Sequence, residues 1–517
     1  MQHHQKKILT KLIRINRISI LFLFITVLGF ILRLYFIFSN DIFTDEVFYT
    51  QIARQTSFIN LLTHNFWIKD HGILYPLFLK LAQCLTTNIV LLRTTNLLIF
   101  LIISFALFNF FQKISKSVNS LIPIFLFSFL PYFIYINSSV TIYNFVMLFS
   151  ILAFIYVSNL ILFSTTREEK LRNPILFLIF STLAFYSDYS VVYFYLPLIT
   201  LLFLVLNWRN KEAENLTLLG FLNLILISPG IFQLMGTFNK FYALNGISSI
   251  ANLNIISFFD KFANVILFKS QFYISEILLL MLVLSLLFLV LRSKKITIQY
   301  LAYFGLTGFV IDFIFLYIFN SIYFQIFLER TFWFFNFLLI LGIYSISGFL
   351  SNFKKLAFII LMMVIVFIKV YIITYQPPII MNPYIDYKDF VTKLVSEMNG
   401  KNSTIILVDR KGTDFGVPLT NYYFQGLSLS QKERTININL YSKLSLLYNV
   451  KSSTEAEFVL PEAGNVIFII FEFDDNRYYA FRNAITNFIG NNGLRLNTVY
   501  FRLECKQSNY CYFNREL

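Results

Sequence analysis

Charge is scarce in this chain. Only 13% of its 517 residues are Asp, Glu, Lys or Arg, against 57% hydrophobic and 19% aromatic. A water-soluble domain cannot bury that much apolar surface, so the composition excludes a soluble globular protein and leaves a polytopic membrane protein. The apolar runs are long and do not alternate, which excludes a barrel; helices satisfy their own backbone in lipid. Cysteine is scarce too, with three in all. Cys84 lies in an apolar stretch and reads as packing. Cys505 and Cys511 stand close together near the C-terminus, where a disulfide and a pair of free thiols are both open readings. Neither their spacing nor their neighbours make a zinc site. The net charge of +15 comes without a dense basic stripe or interleaved stacking aromatics, so nucleic acid is not the expected partner. Long internal repeats and low-complexity tracts are absent, and inverted repeats are what a secondary transporter would favour.

What is present is a succession of apolar segments, at 17–39, 89–112, 120–137, 143–164, 174–187, 189–206, 216–234, 273–291, 299–319, 331–350 and 356–376. They predict an α-helical bundle of about eleven transmembrane helices, within a range of ten to thirteen. No small-residue cleavage site follows the first, which reads as a retained helix. With the N-terminus (1–16) inside, every inside loop is basic. They carry Lys6, Lys7, Lys11 and Arg14; Lys113 and Lys116; Arg167, Lys170 and Arg172; Arg209 and Lys211; Arg292, Lys294 and Lys295; Lys354 and Lys355. This places 40–88, 235–272 and everything after about 377 outside. Segment 73–87 is short and contains Pro76 and Lys80, which fits a helix lying at the outer interface.

The chain divides at the proline-containing linker QPPIIMNPY. Residues 17–376 form the transmembrane module. Residues 377–517 read as a small extracytoplasmic α/β domain, with β-like runs at 404–408, 465–473 and 497–503 and helical stretches near 387–399 and 476–489.

Threaded this way, most of the few charges in or beside the spans fall near the outer face. Arg33 lies in the outer part of the first span, Arg93 at the outer start of the second, and Asp188 at the turn between the fifth and sixth. Asp312, Arg330 and Lys369 lie in the outer parts of later spans, and Asp45, Glu46, Asp70 and His71 in the first outer loop. Singly, each has an ordinary explanation in snorkelling, a helix cap or an interhelical partner. Together they point to an outward polar cavity, with carboxylates to activate a nucleophile and cations to hold an anion.

Residues 30–55, FILRLYFIFSNDIFTDEVFYTQIARQ, place an arginine in the first span and Asp-Glu in the following loop. DHGILYPLFLKL, VLLRTTNLLIFLIISFALF, FYSDYSVVYF and RTFWFFNFLLILGI then follow as ordered landmarks. Together they resemble the GT-C membrane glycosyltransferases, in the branch related to protein O-mannosyltransferases and the lipid A aminoarabinose transferase. The likeness covers most of 17–376. Three features depart from it: Gly72 where relatives often have proline after the histidine, Tyr143 and Asn144 where the aminoarabinose branch has a second acid, and Asp188 where relatives often have histidine or lysine.

The resemblance implies a polyprenyl-phosphate-sugar donor and a hydroxyl acceptor on a lipid, glycan or protein. It implies inverting displacement, with Asp45 as base and Glu46 supporting it. Arg330, Arg93 and Arg33 would hold the donor phosphate, and Asp70, His71 and Asp188 would line the site. A divalent ion, Mg or Mn, is compatible with the acids. A bacterial inner membrane is the location implied. A transporter or flippase of lipid-linked saccharides, a polysaccharide polymerase, and a non-catalytic receptor are the competing readings.

Overall fold

The computed structural model describes residues 2–39, 57–63, 72–188, 218–229, 274–293, 295–322, 333–350, 352–375, 384–385, 403–409, 435–439, 463–471, 495–505 and 510–516, with isolated positions at 46, 49–50, 53–54, 191–192, 195, 198, 482–483 and 486. It has two compact units. One comprises Met1–Ser39 and Tyr49–Gln376, the other Asn40–Phe48 and Pro377–Leu517.

The first unit is helical, as the composition predicts. Among the described residues, four helices are long and apolar enough to cross a membrane: Arg17–Ser39, Ile89–Ile114, Tyr143–Phe163 and Ile296–Ile314. A bent pair makes a fifth, and Leu218–Pro229, Leu280–Arg292, Trp333–Phe349 and Ala357–Val366 are shorter apolar helices. In chain order the helices are α1 (Gln2–Ser39), α2 (Phe58–Thr63), α3 (Leu74–Ala82), α4 (Ile89–Ile114), α5 (Ile122–Phe129), α6 (Pro131–Asn137), α7 (Tyr143–Phe163), α8 (Arg167–Phe185), α9 (Ile274–Arg292), α10 (Ile296–Ile322), α11 (Trp333–Phe349) and α12 (Asn352–Tyr375).

Local chemistry sets several of these boundaries. Asn88 caps α4, its side chain accepting from the backbone N–H of Val90 and Leu91. Helix α8 starts seven residues before the apolar segment, which begins at 174. A capping box of Thr166 and Glu169 closes its first turn. The N–H groups of Thr166 and Thr165 hold the Glu169 carboxyl below its ordinary value. Most of the apolar segment 174–187 is therefore part of a 19-residue helix. Helix α3 has nine residues, about 14 Å at 1.5 Å per residue, too short to span a bilayer.

The segment 120–137, expected as one span, is broken. Helices α5 and α6 meet at a 59° bend. The cause is Pro131, which has no N–H to offer the carbonyl of Phe127 and forces Leu130 into an extended conformation.

Aromatic side chains fill the interior. Phe154 of α7 lies 4.9 Å from Phe304 of α10 and 5.2 Å from Phe337 of α11, centroid to centroid, and Phe111 of α4 lies 4.5 Å from Tyr344. The Ser158 and Tyr300 hydroxyls, 3.1 Å apart, join α7 to α10.

The second unit contains a six-stranded sheet in the order β1-β6-β5-β4-β2-β3. The strands are β1 (Tyr384–Ile385), β2 (Ser403–Asp409), β3 (Thr435–Asn439), β4 (Ala463–Phe471), β5 (Arg495–Cys505) and β6 (Tyr510–Glu516). All neighbours run parallel except β5 and β6. Strands β2, β4 and β5 cover the three expected β-like runs. The expected helix at 387–399 lies outside the described residues, and so does most of that at 476–489.

Candidate functional site

Helix α5 ends at the bend, and its last carbonyls lose their helical partners. Arg33 of α1 supplies replacements. Its Nη2 donates to Phe127 O at 2.9 Å and its Nη1 to Ser128 O at 2.8 Å. Nη1 also donates to Gly29 O at 3.0 Å, and Nε donates to Asn137 Oδ1 at 3.2 Å. The guanidinium lies 3.8 Å from the centre of the Phe100 ring. A planar fork carrying positive charge is well suited to the negative end of a helix. Gly29 makes the approach possible: a β-carbon there would sit 2.8 Å from Ser128 Cβ. Arg33 is fully buried, and these four bonds use most of its five N–H donors. Here its donors serve the helix junction.

Arg93 does related work. Its Nη1 donates to Ile37 O at 2.9 Å, one of the last carbonyls of α1. The two buried arginines thus tie the ends of α1, α4 and α5 together.

A network of asparagines continues from Arg33. Asn137 Nδ2 donates to Asn144 Oδ1 at 2.8 Å. Asn144 Nδ2 donates to the carbonyls of Ile136 at 2.9 Å and Ser139 at 3.1 Å. Asn96 Nδ2 donates to Ser139 O at 2.7 Å. All three asparagines are fully buried. The network locks the turn 138–142 between α6 and α7, at the ends that the charge pattern places outside. Asn137 and Asn96 escaped the sequence reading. Their signal was asparagine at one depth in otherwise apolar segments.

The short helix α3 packs beside this turn, with Tyr75 and Phe78 against Phe145 at 5.3 and 4.8 Å. Its polar side chains hold two backbone carbonyls of the segment that follows α1. Lys80 Nζ donates to Ala53 O at 3.0 Å and Gln83 Nε2 to Thr50 O at 2.8 Å. The backbone carbonyls of Thr50 and Ala53, which follow the acidic pair in sequence, are thereby held by α3. At the start of the same helix, Leu74 N donates to Tyr186 O at 3.2 Å. Gly72 lies so close to the backbone of Tyr186 and Ser187 that a β-carbon would overlap it. Glycine here lets the chain at the start of α3 press against the turn that carries Asp188. Asp188 is buried.

Asp312 is fully buried on α10, and neither carboxylate oxygen has a hydrogen-bond partner among the described residues. It lies one turn beyond Gly308, whose absent β-carbon makes room for Leu338 of α11. The Trp333 indole N–H of α11 likewise lacks a partner among the described residues. Leaving such groups unsatisfied is costly in a protein interior.

Glu46 is buried and belongs to the second unit. Asp45, Asp70, His71 and Arg330 lie outside the described residues, as does the side chain of Lys369. Among the described residues no group of three or more His, Cys, Asp or Glu gathers as metal ligands. Asn144, one of the two residues nearest the expected second acid, is an amide whose oxygen already accepts from Asn137. An amide at this position supplies no second carboxylate to a metal ion.

Residues 70–232 match the sequence profile of the family described as dolichyl-phosphate-mannose-protein mannosyltransferase. The matched stretch contains α3 to α8 and the whole asparagine network. No curated protein sequence matches the chain significantly. Among solved structures, the chain is similar to the crystal structure of ArnT from Cupriavidus metallidurans in the apo state, with 11% sequence identity and a TM-score of 0.46. That similarity covers 67% of this chain and 62% of ArnT, so the chain spans less than two thirds of that protein's length.

Proposed function

We propose that this protein is a membrane glycosyltransferase that moves a sugar from a polyprenyl-phosphate-linked donor to a hydroxyl acceptor at the outer face of the membrane. The observation that carries the reading is the family match over 70–232, the stretch holding the polar layer at the outer helix ends.

The chemistry follows from the bond that breaks. Cleavage of the anomeric C–O bond leaves a phosphate with added negative charge, and cations stabilise that leaving group. Arg330 and Arg93 take this role. Arg33 is better read as a positioning residue, because its donors are engaged at the helix junction. The acceptor hydroxyl is a weak nucleophile while protonated, and Asp45 takes its proton as attack proceeds, with Glu46 in support. Direct displacement inverts the anomeric centre. Asp70, His71 and Asp188 line the sugar side of the site. Any Mg or Mn ion would have Asp45 and Glu46 as its carboxylates, and no step depends on it. The acceptor class is a lipid, glycan or protein in a bacterial inner membrane.

The test is transfer from a panel of labelled polyprenyl-phosphate sugars into acceptors present in membranes bearing the chain. At least one donor should give labelled product absent from membranes without it. Failure of every donor, with acceptors supplied from the native envelope, contradicts the reading.

A further inference from the structure

We propose that Cys505 and Cys511 are joined by a disulfide that fastens the C-terminal strand of the second unit. The two residues are direct partners in the antiparallel register of β5 and β6. Directly opposed residues of antiparallel strands have Cα atoms about 4.5 or 5.5 Å apart and share one face of the sheet. A disulfide accepts Cα separations of about 4.4–6.8 Å, so either kind of pair meets the requirement without backbone movement. Sequence spacing alone left the pairing open, because five intervening residues are compatible with many loop shapes. The strand register removes that freedom.

The bond would close the β5–β6 hairpin at its turn. Strand β6 is the link between β5 and β1, and among the described residues the two-residue β1 pairs only with β6. Fastening β6 to β5 therefore also secures the segment through which the chain enters the sheet after α12. In forming the bond, the two thiols lose two protons and two electrons. The oxidant is a protein disulfide of the extracytoplasmic compartment, which becomes a dithiol. The inference rests on the outward placement of this unit in the reading above.

The sequence makes the test direct. Trypsin cuts after Arg502, Lys506 and Arg515, so the two cysteines fall in separate peptides, LECK and QSNYCYFNR. The full chain is taken from membranes without reductant, denatured with a thiol-blocking reagent, digested and read by mass spectrometry. The expected result is one linked pair of these peptides that disappears on reduction, while Cys84, a free thiol, is blocked from the outset. Recovery of both peptides as blocked thiols, or linkage of either to Cys84 or a second chain, overturns the proposal. Lysine labelling of intact cells with an impermeant reagent, run in parallel, separates the two ways of failing. Blocked cysteines in a labelled unit refute the disulfide alone. Blocked cysteines in a shielded unit refute the outward placement with it.

Discussion

Replacing Arg33 by alanine is expected to lower the stability of the helical unit by about 3–5 kcal/mol, because several buried oxygens each lose about 1–3 kcal/mol when left without a donor. The thermal midpoint in detergent should fall by roughly 10 °C. The physical reason lies ninety-odd residues away. Pro131 frees the carbonyls at the end of α5, and among the described residues the Arg33 fork reaches Phe127, Ser128 and Asn137 together. Lysine at this position keeps the charge but not the planar fork, so Arg33→Lys should fall between alanine and wild type. If Arg33→Ala kept the wild-type midpoint yet abolished sugar transfer, Arg33 would belong on the donor phosphate and the clamp would be incidental.

Gly72→Ala should act differently, on activity more than on stability. A β-carbon at Gly72 would collide with the backbone of Tyr186 and Ser187, which cannot turn aside as a side-chain tip can. Either the start of α3 or the turn carrying Asp188 must shift. Overpacking of this kind costs about 1–3 kcal/mol. A displacement of about 1 Å at a positioned site can cost 100-fold in rate, so transfer should fall by roughly two orders of magnitude while most of the protein remains folded. Wild-type transfer by Gly72→Ala, measured at equal protein level, would detach this contact from function.

Much of the architecture was legible because hydropathy in a membrane protein is nearly a one-dimensional signal. Apolar runs at 89–112, 143–164 and 273–291 became Ile89–Ile114, Tyr143–Phe163 and Ile274–Arg292. Pro76 and Lys80 correctly marked α3 as short. Pro131 announced the bend just as plainly, but an apolar run on both sides disguised it as one span. In the second unit, runs of Val, Ile and Phe revealed β2, β4 and β5. Strand β3 alternates Thr and Asn with Ile, a period-2 pattern that length-weighted hydropathy overlooks.

The site was less legible because its logic is tertiary. The sequence showed an arginine at the outer end of the first span but not the carbonyls that employ it. It showed Tyr143 and Asn144 where the aminoarabinose branch has an acid, but not that Asn137 and Asn96 join Asn144 in one buried network. Gly72, read as a departure from the family, turns out to be what permits a close backbone contact. Asp312 stands apart: its position was noticed, yet only the structure reveals two buried oxygens without hydrogen bonds among the described residues.

The most direct test of the central claim compares wild type with Asp45→Asn, using the labelled polyprenyl-phosphate sugar that the wild-type chain accepts. Asparagine preserves shape and polarity but cannot take a proton. Loss of a general base typically costs about 10²–10⁴-fold, and transfer should fall by that much at equal protein level and unchanged thermal midpoint. Undiminished transfer by Asp45→Asn would show that this carboxylate is not the base, and the account of the reaction would fail at its first step.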